Sequence, residues 1–164
     1  TNLMHIFTSK YRHYPLTRTD INEIKRLLKT IEDLSHDSND RWYVLSSNFT
    51  LNSDMLKYAY ISLDINEKIK DKILNTNDID KRDGFPVQLL TAKYVIISYP
   101  NQVSNNPNEQ RVVTIPAESI LNKKNIGSAF RKLEYDFILD NGVHVYIFEK
   151  IELLFNNRPS KFKP

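Results

Sequence analysis

The chain contains no cysteine, which removes disulfides, thiol nucleophiles and cysteine-based zinc sites from consideration. Glycine is scarce too: Gly84, Gly127 and Gly142 are the three present, far apart from one another. A dinucleotide fingerprint or a P-loop needs several glycines close together, so that backbone N–H groups can approach phosphate. Both are excluded. No apolar run is long enough to cross a bilayer, and no signal peptide is visible because residues 5–14 are polar and aromatic. The four histidines, His5, His13, His36 and His144, form no HxH, HExxH or HxxxH pairing, so no metal and no other cofactor is expected.

What is present is ordinary for a folded domain. With 164 residues, 40% hydrophobic and 26% charged, the chain suits a single α/β domain spanning 1–164 that buries about two thirds of its unfolded surface. The net charge of +3 is scattered: Lys25, Arg26 and Lys29 fall in one segment, Lys68, Lys70 and Lys72 in another, Lys161 and Lys163 at the tail. Nucleic-acid binders concentrate charge in a stripe or patch, so no nucleic-acid partner is expected. The first residue is Thr1 rather than Met, which reads as a piece of a longer protein.

Periodicity organises the chain. Asp20 to Glu23 has the spacing of a capping box, and Ile21, Ile24, Leu27, Leu28, Ile31 and Leu34 make a helical stripe. Residues 42–47 read as a buried strand. Asn52 to Asp54 supply cap chemistry for a helix over 55–63 that breaks before Asp64 and resumes over 65–74. Residues 87–92 fit one helical turn, and 94–99 are the strongest strand, stopped by Pro100. Residues 101–109, rich in Asn and Pro, predict an exposed, flexible excursion. Residues 111–115 look like a further strand and 116–121 like a short helix with Pro116 at its first position. Asp140-Asn141-Gly142 between the runs 135–139 and 143–148 predicts a tight hairpin, since Asn and Gly both accept positive φ. The expected architecture is a mixed sheet flanked by helices, with a parallel core and a C-terminal antiparallel hairpin.

Two places are candidates for chemistry. Ser46 and Ser47 end the first strand just before a helix start, where open α/β sheets bind ligands, and Asp54 lies in the first turn of that helix; the competing reading, polar residues that simply end a strand, is preferred because topology alone does not make a site. A serine nucleophile needs a base, and no histidine is placed by sequence to serve it. Asn48-Phe49-Thr50 matches a glycosylation acceptor pattern. In the second place, Arg82 could pair an anion and Asp83 could act as a base or ligand. The competing reading of Lys81-Arg82-Asp83-Gly84 is a turn, with positive φ at Gly84, Phe85 plugging the core and Pro86 ending the turn. The turn reading is preferred, because one charge pair without a partner base is not a reaction centre. No catalytic residue is assigned.

Three stretches, "RDGFPVQLLTAKYVIISYPNQ", "NEQRVVTIPAESILNKKNIGSAF" and "YDFILDNGVHVYIFEK", resemble the soluble C-terminal region of large multi-pass membrane proteins of Gram-positive and related bacteria. Those proteins look like GT-C-type glycosyltransferases, which use a lipid-linked sugar donor at the outer membrane face. The likeness runs from about Trp42 to Lys150. It implies a non-catalytic accessory domain on the extracytoplasmic face of the cell membrane, tethered through its parent chain and acting in cell-envelope glycan assembly. The partners so implied are a cell-envelope glycan acceptor or the membrane part of its own chain, and no functional residue carries over. Trp42, Tyr94 and Tyr99 could stack on sugars, although core packing suits strand residues better. Two other readings stay open. One is a free-standing ligand-binding domain or enzyme with a site near Ser46 to Asp54. The other is a protein-interaction module using the hairpin edge or the 101–109 loop.

Overall fold

Strand β2 (Tyr94–Tyr99) sits inside a four-stranded sheet of order β1-β2-β4-β3, in a computed structural model that describes residues 18–76, 84–104 and 106–151. β1 (Trp42–Leu45) pairs with it in parallel, and β4 (Val143–Lys150) pairs antiparallel on its other side. β3 (Phe130–Leu139) closes the hairpin with β4. The expected mixed sheet, with a parallel pair joined through a helix and an antiparallel hairpin at the end, is therefore present.

Helices cover both faces, which is why β1 is buried throughout and β2 up to its last residue. Side chains alternate across a strand. Trp42, Val44, Tyr94, Ile96, Val145 and Ile147 accordingly face α1 (Ile21–Leu34) and α2 (Ser53–Ser62). Tyr43, Leu45, Val95, Ile97 and Phe148 face α3 (Arg111–Leu121). Trp42 is wholly buried and stacks on Tyr94 with ring centroids 4.4 Å apart. Its indole N–H donates to Ser35 Oγ at 2.9 Å, and that hydroxyl donates to the Ile31 carbonyl at 2.6 Å. Neither Trp42 nor Tyr94 is open to a ligand.

The start of α1 departs from the capping box. The Asp20 side chain caps nothing in its own helix. Instead its Oδ2 accepts the Asp140 N–H at 2.8 Å, Glu23 Oε2 accepts the Ile138 N–H at 3.2 Å, and Arg26 Nη2 donates to the Asp136 carbonyl at 2.6 Å. Residues 136 and 138 alternate along the outer side of edge strand β3 and 140 follows it, so two side chains of α1 and the one just before it supply the bonds another strand would make. An open edge invites pairing with another chain, and here the carboxylates close it and do not cap their helix. This covers the part of the hairpin edge nearest the turn.

α2 starts as expected, with the Asn52 side chain accepting the Met55 N–H at 2.7 Å. It breaks at Asp64, whose φ is 51°, but resumes as a 3-10 turn (Glu67–Lys72) rather than an α-helix. Leu74 N–H then donates to the Trp42 carbonyl at 2.9 Å, occupying the outer side of β1. Residues 111–115 are not a strand. They form the first turns of α3, and Pro116 lies inside that helix, not at its start. Val112, Val113, Pro116, Ala117 and Ile120 are buried, a helical period that decides over the strand propensity of the β-branched residues.

Gly84 has the expected positive φ of 74°. Phe85, however, is half exposed, and the residue that plugs the core is Leu89, fully buried in a 3-10 turn (Val87–Leu90). Tyr99 is also exposed at the end of β2, where a cis bond leads to Pro100. In the hairpin turn Asn141 and Gly142 take φ values of 61° and 69°, as the sequence predicts.

Candidate functional site

The carboxyl end of β1 holds two of the residues singled out from sequence, and both hydroxyls are engaged. Ser46 Oγ, buried, donates to the carbonyls of Leu51 at 2.7 Å and Gln102 at 3.1 Å. Ser47 N–H donates to the same Gln102 carbonyl at 2.9 Å, and Ser47 Oγ meets Gln110 Oε1 at 3.1 Å. The Gln102 N–H in turn donates to Ser98 Oγ at 3.0 Å. The beginning of the 101–109 segment, expected to be a flexible excursion, is thus pinned across the ends of both parallel strands. Asn48 does the same work: its amide N–H donates to the Val103 carbonyl at 3.3 Å while its Oδ1 accepts the Thr50 N–H at 3.2 Å. A glycan on Asn48 would be attached to the same Nδ2 that makes the first of these bonds.

Beyond these braces lies an open concavity of about 560 Å³, floored by Asn52, Ser53 and Thr76 and walled by Phe49 and Tyr58. Ser53 and Thr76 share a hydrogen bond of 2.9 Å. Asp54, exposed in the first turn of α2, borders it and makes no hydrogen bond to a described residue. Asp54 and Tyr58 also border a second concavity of about 590 Å³ that continues past Tyr58 toward Asn75 and Gln88. The two share Asp54 and Tyr58 in their linings and together are termed the trough along α2. Lys57 leans into it against Asn75 Oδ1. Burial pushes its ammonium below the usual lysine value, while the charges of Asp54 and Asp71 act in the other direction.

The sequence candidates therefore divide. Ser46, Ser47 and Asp54 come together, the serines as braces and Asp54 as the group that faces solvent. Arg82 and Asp83 lie outside the described residues. Phe49 and Tyr58, the rings that define the trough, were not singled out from sequence. A signal existed for Tyr58: Ser53, Leu56 and Tyr60 are the buried positions of α2, and Tyr58 falls on the opposite side of that helical wheel.

At the far end of the strands a charged cluster is closed by its own pairs. Asp40 and Lys93 meet at 2.9 Å and Arg131 and Glu149 at 2.7 Å. The Asp40 carboxyl is buried, which disfavours its charge, but Lys93 and the Asp37 N–H outweigh that and hold it below the ordinary carboxylate value. Lys93 is raised correspondingly by its bond to Asp40. His144, half-exposed on β4, bonds Asp136 through Nδ1 at 2.9 Å. Among the described residues no group of three or more His, Asp or Glu side chains could hold a metal ion, and no helix is long and apolar enough to cross a membrane. In comparison with known proteins, no family model, no curated protein and no solved structure matches the chain.

Proposed function

We propose that this domain is a non-catalytic accessory unit of a membrane glycosyltransferase, standing on the extracytoplasmic face of the membrane and recognising the acceptor during cell-envelope glycan assembly. The observation that carries the reading is the division of labour at the end of β1. The hydroxyls best placed to attack a substrate are engaged, Ser46 Oγ by backbone carbonyls and Ser47 Oγ by the Gln110 side-chain amide, whereas the groups facing solvent beside them are two aromatic rings and a carboxylate. Such a set binds; it has no activated nucleophile. The resemblance supplies the setting, and the three stretches that carry it form β2, α3 and the β3–β4 hairpin, much of the sheet and the layer packed on its second face.

The complete coding sequence tests the reading. It should place several membrane-spanning segments in the same polypeptide as this domain, and a frame without them would overturn the proposal. A second reading, ligand binding by a free-standing domain, draws on the same trough and would then take its place.

A further inference from the structure

We infer that the trough along α2 binds a neutral oligosaccharide, whose sugar rings lie against Phe49 and Tyr58. The inference rests on the acceptor-recognition reading for its setting, while its evidence is the local geometry.

Phe49 is 71% exposed and Tyr58 69%, the highest values among the described large hydrophobic side chains. Leaving such a ring in water forgoes about 2 kcal/mol that burial would provide. One exposed ring needs no explanation. Here two wall the same concavity, and neither stacks on another ring among the described residues. A saccharide is amphipathic in the matching sense. One side of each sugar ring presents C–H groups that pack on an aromatic face, and its rim carries hydroxyls that require donors and acceptors. Asn52 is engaged by the Met55 N–H and the Asn48 carbonyl. The polar groups on offer are therefore the Ser53–Thr76 hydroxyl pair, which keeps acceptor capacity and one donor, and Asp54, whose carboxylate oxygens form no hydrogen bond to a described residue. Bonds from hydroxyls to a carboxylate are the stronger, charge-assisted kind.

Length and charge narrow the ligand further. Because the trough continues past Tyr58 into the second concavity, it suits a chain of sugars better than one. The charged side chains along it are of both signs, Asp54 and Asp71 with Lys57 and Lys70. A polyanion would call for an excess of cations. A neutral chain meets no net field and can use both signs as hydrogen-bonding partners.

The test is a titration of the 164-residue chain with neutral hexasaccharides of glucose, N-acetylglucosamine and rhamnose, following the backbone amides by NMR, with dextran sulfate as the polyanionic arm. Saturable shifts centred on residues 49–58 are expected with at least one hexasaccharide. Phe49→Ala and Tyr58→Ala should each weaken it about tenfold, with unfolding midpoints unchanged because both rings are exposed. Silence with all three sugars, shifts centred elsewhere, preference for dextran sulfate, or unchanged affinity in both variants would each overturn the inference. Its failure is separable from that of the wider reading: a silent trough in a protein whose gene encodes membrane spans removes the site alone, and a sugar-binding trough in a gene without spans removes the setting alone.

Discussion

Replacing Asp20 tests how the chain ties its first helix to its last hairpin. The carboxylate accepts from Arg18 Nε at 2.9 Å, from Arg18 Nη2 at 2.7 Å and from the Asp140 N–H at 2.8 Å. Its side chain is 4% exposed and that of Arg18 17%. Removing one member of a buried pair costs about 3–5 kcal/mol. Arg18 keeps its bonds to the Thr50 carbonyl, so Asp20→Ala should cost less, about 2–3 kcal/mol. With a urea slope of about 2 kcal/mol per molar, the unfolding midpoint falls by about 1–1.5 M. Trp42, the single tryptophan and wholly buried, reports the transition by fluorescence. Burial raises the Asp20 pKa, but Arg18 and the Asp140 N–H together outweigh it and hold the carboxyl below the ordinary carboxylate value. A depressed carboxyl pKa contributes stability that is complete above the unfolded-state value and is lost as pH falls through the folded-state value. The stability gap between the parent and Asp20→Asn should therefore be full at neutral pH and close below about pH 4. A gap that stays constant into strong acid, or an Asp20→Ala midpoint within about 0.2 M of the parent, would refute the reasoning.

Three further outcomes follow from the same geometry. A Cβ at Gly127 would sit 1.9 Å from the Ser119 carbonyl oxygen, whereas one at Gly142 meets nothing within 4 Å and suffers only from its φ of 69°. Calorimetry should accordingly show Gly127→Ala losing about 3 kcal/mol and Gly142→Ala about 1 kcal/mol; equal losses would contradict the packing of α3 on the 3-10 turn Asn125–Ala129 that holds Gly127. In Glu23→Ala, hydrogen exchange at the Ile138 amide should accelerate, and with Arg26→Ala added the protein should self-associate at high concentration in light scattering; an unchanged amide would show that the helix side chains do not guard the edge. Ser46→Ala should cost about 1 kcal/mol and speed exchange of the amides across 102–104, an effect a purely chemical serine would not have.

Much of the fold was legible because its strongest periods coincide with deep burial. The stripe from Ile24 to Ile31, the run 94–99 and the Asn141-Gly142 turn each combine a clear pattern with matching local chemistry. Residues 111–115 misled because Val, Val, Thr and Ile favour strands locally, and five residues are too few to separate a period of two from one of 3.6. Pro116 strengthened the error by resembling a boundary. Asp20 and Glu23 have the local spacing of caps, yet the hairpin amides they accept from lie more than a hundred residues away, which no local pattern encodes. Of the site, Ser46, Ser47 and Asp54 were legible from their place at a strand end, but their division into braces and a carboxylate that bonds no described residue depends on Leu51, Gln102 and Gln110. Phe49 carries no signal because exposure, not residue type, distinguishes it from the core aromatics, while Tyr58 shows only in its place opposite the buried positions of α2.

The most direct measurement is transfer of a sugar from a lipid-linked donor, assayed with the full-length protein in membranes and with this domain alone. The account predicts transfer by the full-length protein, reduced by Tyr58→Ala through a weaker acceptor KM, and none by the isolated domain. Turnover by the isolated domain that Ser46→Ala or Ser47→Ala abolishes would contradict it.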